Sequence, residues 1–438
     1  MRPIPGLPRL EGPARPLLLG QFCYALGRGM YSTGSIVFFN LSFGLSVRQI
    51  ALALSAAGVA AFLAALPAGY LADRWGPRPM AVGLTVAQAL LLCPMLFSDS
   101  HSVVVPLVVA LGAADRANSV ARRTLVSHVI GEADRVRTQA YLRSVANTAM
   151  SIGALAVAPL LAVGTHTAFV VLVTITMAAY LVVAVTTTVL PTRPRTSPVR
   201  SGAASGDALD PEREPRPERR RLAAFTLLGL LNGTFALHIS LLEVGLPLWV
   251  TEHTDAPAWT VATLVFVNTV LAILLQVAAS RGSSSVRGAA RALIMSAVLT
   301  ASACAVFAMT SGRTGPLLVA ALLVATVVLT LGEILQSAGE WGLSFGLAPA
   351  NAEGRYIGAF TVGTTVQDMV GPALVGGVVI AYAPEGWFVL AAVFLVGAVL
   401  VAPMTNWVAG LHGDREDVAA EHSEGTSRTP APSERSRS

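Results

Sequence analysis

The sequence predicts an all-α membrane protein whose twelve transmembrane helices form two six-helix halves. Three observations carry this expectation. Hydrophobic residues make up 54% of the 438-residue chain and charged residues only 13%, where a soluble protein carries about 25% charge. The apolar residues fall in long runs, each near the roughly 20 residues that cross a bilayer core of about 30 Å. One polar stretch, 192–221, divides those runs six and six. The apolar content also excludes a disordered chain. Cys23, Cys93 and Cys304, each inside an apolar run, exclude a disulfide framework.

The runs lie near 17–43, 48–72, 79–98, 102–127, 137–163 and 167–190 in the first half. In the second half they lie near 222–250, 257–280, 290–310, 315–347, 356–382 and 386–409. They are too long for strands of a membrane barrel, which need roughly ten alternating residues. Backbone amides in lipid must pair within their own segment, so the runs are helices. The first run follows Arg2, Arg9 and Arg15, as a signal peptide would. It is longer than a signal core and no small-residue cleavage site follows, so it reads as a retained helix. The chain thus divides into an N-terminal tail 1–16, a bundle 17–191, a linker 192–221, a second bundle 222–410 and a tail 411–438. Linker and tail are rich in Pro, Ser, Arg and Glu. They cannot bury apolar area and are predicted to be disordered.

Orientation follows from arginine, since the chain has no lysine. An even number of spans puts both termini on one side. That side also holds Arg74, Arg78, Arg122, Arg123, Arg135, Arg137, Arg281, Arg287, Arg355 and the basic linker, while the opposite loops hold only Arg48 and Arg313. The positive-inside rule places both termini in the cytoplasm of a cell membrane. The net charge of +5 reflects this asymmetry, and no nucleic-acid-binding pattern accompanies it. Arginine in place of every lysine is the usage of a GC-rich bacterial genome.

The halves echo one another. Leu111-Gly112 in the fourth helix matches Leu331-Gly332 in the tenth, and Ala158-Pro159 in the fifth matches Gly371-Pro372 in the eleventh. Parallel six-helix repeats are a transporter plan, with substrate bound near the midplane between them.

Between the second and third helices the sequence reads Gly69-Tyr70-Leu71-Ala72-Asp73-Arg74-Trp75-Gly76-Pro77-Arg78. Gly69 permits close helix approach, and Gly76 and Pro77 make a tight turn. Asp73, at a helix end, suits an arginine or the N-terminal dipole of a neighbouring helix. The segment closely resembles the cytoplasmic signature of the major facilitator superfamily, and the resemblance extends over 17–410. It implies the major facilitator fold and a gating role for Gly69, Asp73, Arg74, Gly76 and Arg78, with Asp73 latching one conformation against the eleventh helix. The second copy of the signature, between helices eight and nine, keeps Ser280-Arg281-Gly282 and Arg287 but no Asp. The Gly-Pro motif of the superfamily's drug antiporters is echoed by Ala154, Ala158 and Pro159 in helix five, with small residues in place of glycines.

Ionisable groups at membrane depth are expensive and usually functional. Arg28, Asp115, Arg116, Glu333 and Asp368 fall near the midplane, Glu243 lies toward the outer side and Glu340 toward the cytoplasm. Steps of three and four residues gather polar groups into stripes. Helix one carries Gln21, Tyr24, Arg28, Tyr31, Ser32 and Ser35, and helix five carries Arg143, Asn147 and Ser151. Helix seven carries Asn232, Ser240 and Glu243, helix ten Glu333, Gln336 and Glu340, and helix eleven Thr361, Thr364, Thr365 and Asp368. These stripes are expected to line a shared wet cavity. Arg28, Asp115, Arg116, Tyr24, Tyr31 and Gln336 are the candidate substrate contacts, with Arg28 the expected partner of the acids. Being adjacent, Asp115 and Arg116 point about 100° apart, so at most one faces the cavity squarely. The midplane charges of the C-terminal half are all acids. Drying favours a neutral carboxyl and a nearby guanidinium favours a carboxylate. A cycle that changes both makes Asp368 and Glu333, then Glu243, candidate proton carriers. The plainer alternative is a set of ion pairs closing the interface between halves. His238 reads as a packing contact, and Trp249, Trp259, Trp387 and Trp407 as anchors at the membrane interface.

No Walker motif is possible without lysine, no His, Cys and acid cluster has metal spacing, and no nucleophile elbow is present. The sequence therefore predicts no enzyme and no cofactor. It predicts a monomeric, proton-coupled antiporter in the lipid bilayer, exporting small drug-like or secondary-metabolite molecules. The alternatives are a proton symporter importing a small polar nutrient, or a non-transporting sensor.

Overall fold

The computed structural model describes residues 14–97, 101–131, 134–163, 165–190, 216–257, 259–350 and 352–426. Its described residues are almost wholly helical. The first half contains α1 (Ala14–Phe43), α2 (Val47–Trp75), α3 (Pro77–Leu92, continued by a tight turn Cys93–Leu96), α4 (His101–Val129), α5 (Arg135–Val163) and α6 (His166–Thr188). The second half begins with α7, an interrupted rod made of Arg216–Phe235, His238–Ser240, Leu241–Gly245 and Leu246–Glu252. It continues with α8 (Trp259–Ala279), α9 (Val286–Met309), α10 (Gly315–Gly346), α11 (Glu353–Leu374, extended by a wider turn Val375–Ile380) and α12 (Glu385–Thr426). Among the described residues, ten helices are long and apolar enough to cross a membrane.

Local chemistry sets several boundaries. Ser46 and Gln49 form a reciprocal cap at the start of α2: the Ser46 hydroxyl accepts from the Gln49 amide, and the Ser46 amide donates to Gln49 Oε1 at 2.9 Å. The chain reverses between α2 and α3 at Gly76, whose φ of 92° suits glycine, and Pro77 supplies the fixed φ of a first helical turn. In α7 the regular ladder lapses after Phe235, whose carbonyl lies 2.8 Å from His238 Nδ1, and a π-helical stretch follows over Leu241–Gly245. Such wider turns recur at functional sites.

Two predicted boundaries differ. Most of the expected linker lies outside the described residues, but α7 already begins at Arg216. Glu218 and the arginines after it are good helix formers, with Glu218 in the favourable first turn. The tail from 411 was expected to be disordered, yet α12 continues to Thr426. Residues 411–426 contain no proline and several Ala and Glu, so a helix already nucleated in the bundle propagates through them.

The packing repeats with an offset of six helices. α1 packs on α5 and α6, α2 on α4, and α3 on α4 and α6. Correspondingly, α7 packs on α11 and α12, α8 on α10, and α9 on α10 and α12. The halves meet through two equivalent seams, α2 with α11 and α5 with α8. Each half has its own core. Phe38, Phe43 and Phe169 interlock in the first, and Trp249, Phe307 and Trp387 in the second. Trp249 and Trp387 are therefore not interface anchors: both are fully buried, and Trp249 Nε1 donates to Thr310 Oγ1 at 2.9 Å. The two indoles pack edge-to-face on each other, and Trp387 stacks on Phe307, so their area is used inside the bundle. Trp259 and Trp407 remain exposed.

Candidate functional site

The seam between halves is closed by charge, and it is closed at one end. That end carries the α2–α3 turn and is called here the turn end. There Asp73 reaches across from α2 to the first turn of α11. Its carboxylate accepts from the Gly354 amide at 2.7 Å and the Arg355 amide at 2.8 Å. Those amides lack helical partners and lie at the positive end of the helix dipole, so they suit an anion. Gly69 makes this approach possible, since a Cβ there would fall on the Gly354 carbonyl. Gly76 forms the turn, and Arg74 and Arg78 flank it on the end of α2 and in the first turn of α3.

Beside this latch, Glu353 is 5% exposed and pairs with Arg135 of α5 at 3.0 Å; it also accepts from the Ser127 hydroxyl and has His128 at 3.5 Å. Deeper along the seam, Arg123 of α4 meets Glu340 of α10 at 2.5 Å, and Arg143 of α5 meets Glu333 of α10 at 2.7 Å. Asn268 Nδ2 donates to the second Glu333 oxygen at 2.9 Å. Deepest, about 20 Å from the turn end by helix rise, Arg116 of α4 pairs with Asp368 of α11. Each of these four pairs joins an arginine of the first half to an acid of the second.

Exposure changes along this ladder. Glu353, Glu340 and Glu333 are 5–7% exposed, whereas the Asp368 side chain is 49% exposed and that of Arg28 53%. The acids nearest the turn end are buried, and at mid-depth Asp368 and Arg28 are exposed to open space, called here the vestibule.

The predicted site residues separate into three groups. Asp368 stands in the vestibule, paired with Arg116. Arg28, the expected partner of the acids, instead faces Asp115 of its own half at 3.4 Å, and Asp115 also accepts from the Tyr24 hydroxyl at 2.5 Å. Glu243 is exposed on α7 within electrostatic range of Asp368 and Arg28, and no cation among the described residues pairs with it. A second group lies inside the protein. Glu333 is clamped as described. Gln336 is 1% exposed and is occupied by Asn232 at 3.0 Å and Glu340 at 3.2 Å, so it does not line an open cavity. Thr361 and Thr365 are also buried, their hydroxyls donating to carbonyls of α11 itself. Tyr31 is partly buried, edge-on to Phe39. The third group is the turn-end latch. Of Asp115 and Arg116, Asp115 lines a cavity in the first half while Arg116 turns across the seam.

Sequence reasoning read Arg123 and Arg135 only as topology-setting arginines. Both lie within helices and both bridge the halves. A signal was available: Arg116 and Arg123 on α4 repeat at seven residues, as do Glu333 and Glu340 on α10, which puts each pair on one helix face.

The sequence profile of the Major Facilitator Superfamily matches residues 17–372. The chain belongs to the major facilitator superfamily. It is accordingly a membrane transporter rather than an enzyme, and members of this superfamily act on small molecules. No curated protein sequence matches the chain. Solved major facilitator structures share its fold. The human organic anion transporter MFSD10 (TETRAN) superposes with a TM-score of 0.68 at 15% identity, covering 90% of this chain and 100% of that one. FucP in its outward conformation, the E. coli fucose:proton symporter, superposes with a TM-score of 0.67 at 16% identity over 90% and 98%. An outward-facing bacterial homologue of the iron transporter ferroportin gives 0.64 at 13% over 91% and 99%.

Proposed function

We propose that the protein is a proton-coupled antiporter of the cell membrane, exporting small drug-like or secondary-metabolite molecules by alternating access. Both termini and the turn end face the cytoplasm, so the vestibule opens outward. The observation that carries this reading is the Arg116–Asp368 pair, which joins the halves and stands where external water reaches it. A proton arriving from outside neutralises Asp368 and removes the attraction that holds α4 to α11 at mid-depth. Arg116 is then uncompensated, and the seam opens toward the cytoplasm with the proton aboard. Because protonation alone suffices, the inward step needs no substrate, which is the logic of exchange. Substrate bound on the cytoplasmic side then accompanies the return as Asp368 releases its proton and regains Arg116. Glu243 and Glu333 are the further proton-carrying candidates. A symporter importing a polar nutrient is the second reading, supported by the Arg28–Asp115 pair facing the vestibule and by the fucose:proton symporter among the similar structures.

Cells expressing the protein should retain less of a lipophilic dye than control cells, and a protonophore should abolish the difference. Asp368→Asn should reach normal membrane levels by immunoblot but lose proton-driven efflux. Proton-driven accumulation of substrate inside the cell would select the symporter, and undiminished efflux by Asp368→Asn would remove the carboxylate from coupling.

A further inference from the structure

The first half contains a cavity of about 300 Å³ between α1, α4, α5 and α6, with Trp341 of α10 as part of its wall. Four arginines and one acid line it: Arg28, Arg122, Arg123, Arg143 and Asp115. Three of these arginines are neutralised by a carboxylate. Arg28 has Asp115, Arg123 has Glu340 and Arg143 has Glu333. Arg122 has none among the described residues. One of its nitrogens, Nη2, donates to Gln21 Oε1 at 2.7 Å, and its guanidinium lies 4.5 Å from the centre of the Tyr24 ring. The other, Nη1, is buried without any hydrogen-bond partner.

This arrangement leaves one unit of positive charge on the cavity wall, on a partly buried guanidinium whose Nη1 is itself buried. An uncompensated buried charge is strongly unfavourable, and a buried donor left empty adds to the penalty. Both are relieved by the same event, the arrival of a monoanion. Tyr24 and Gln21 hold the guanidinium in one orientation, so its free edge is fixed in advance, and arginine binds planar oxyanions in bidentate fashion. The volume is at the lower end of ligand pockets, room for a single ring or a short chain. The indole of Trp341 and the methylene stems of the arginines offer apolar area to the remainder of such a molecule.

We propose that this cavity binds a small organic monoanion, a carboxylate or sulfonate, with Arg122 as its charge anchor. The site is distinct from the Arg116–Asp368 clamp and holds whether or not protons drive transport. Its place beside Arg123 and Arg143 gives it a consequence. An anion seated on Arg122 competes with Glu340 and Glu333 for the neighbouring guanidiniums, and so loosens the seam from the cytoplasmic side.

The test uses the purified full-length protein in detergent and four probes: benzoate, benzenesulfonate, the neutral benzamide and inorganic phosphate. Binding is read by equilibrium titration and by the shift in melting temperature. Benzoate or benzenesulfonate should bind and benzamide should not. Arg122→Gln should weaken anion binding by roughly tenfold to a hundredfold, the worth of a hydrogen bond to a charged group, with Arg122→Lys between it and the native protein. If Arg122→Gln does not fold, Asp115→Asn provides an independent arm. It frees Arg28 as a second cation and should tighten anion binding. The proposal is overturned by equal binding of benzoate and benzamide, by binding of phosphate alone, by no binding of any probe at millimolar concentration, or by anion affinity that neither variant changes. None of these outcomes bears on dye efflux or on Asp368, so the site and the proposed transport cycle stand or fall separately.

Discussion

Asp73 joins two six-helix units with one side chain. Its two oxygens take up the first free amides of α11, so a single negative charge meets both hydrogen-bond donors and a helix dipole. Asp73→Ala removes two charge-assisted bonds, each worth about 1.5–3 kcal/mol. The equilibrium should move toward opening at the turn end by at least roughly tenfold. The measurement is the labelling rate of a cysteine placed at Ser127, buried beside Glu353, in a background without the native thiols. An unchanged rate would mean that the latch contributes little. Asp73, Glu333 and Asp368 were all legible in the sequence, because a charge within or beside an apolar run stands out by its cost. Asp73's partner, the start of the eleventh helix, was legible too; those of the two acids at membrane depth were not. Arg28 was the expected counter-charge, but pairing depends on helix rotation, and rotation gives Asp115 to Arg28 and leaves Arg116 for Asp368. Arg122 was invisible for a different reason: in sequence it is one more arginine near a cytoplasmic boundary, and only the fold shows that no carboxylate among the described residues pairs with it.

The helices themselves were readable from composition alone, since length and hydropathy decide what crosses a bilayer. Their closest contacts were harder to foresee. In the second half α7 and α11 approach so nearly that a Cβ on Gly363 would fall on the Gly229 backbone, and one on Gly233 would fall on that of Gly363. Small residues are common throughout the spans, so no sequence pattern singles out these. Gly363→Ala should destabilise the protein by about 1–3 kcal/mol, the usual effect of overpacking, seen as a lower melting temperature. Gly83→Ala, where an added Cβ meets nothing within 4 Å, should leave it unchanged or slightly raised. Equal effects would mean that the helices adjust freely. The interruption of α7 was also beyond the apolar pattern, because Phe235 to Gly245 is as hydrophobic as its flanks and periodicity does not distinguish an α turn from a π turn.

Across the whole molecule, the ladder of clamps works as a one-sided fastening. The seam is buried where Glu353, Glu340 and Glu333 sit and exposed at Asp368, so neutralising the three buried acids should release the shut end. In the triple variant Glu333→Gln, Glu340→Gln and Glu353→Gln, spin labels at Trp75 and Arg281, exposed on opposite halves near the turn end, should move apart. Their distance distribution should gain a longer population. An unaltered distribution would mean that apolar contacts, rather than charge, hold that end closed. The six-and-six plan was visible in advance through the dividing polar stretch and the echoed Gly and Pro positions. Which end closes was not, because that choice is made by pairs of residues 190 or more positions apart, as with Arg143 and Glu333 or Arg123 and Glu340.

The sign of the seam has one more consequence. Four arginines stand on one half and four carboxylates on the other, so each half is a poor partner for its own kind: two copies of the first would set guanidinium against guanidinium, and two of the second acid against acid. Such polarity acts as a key for correct assembly. It steers the later-synthesised bundle onto the earlier one beside it rather than onto a stranger's, and it would still do so if the covalent tether between them were severed.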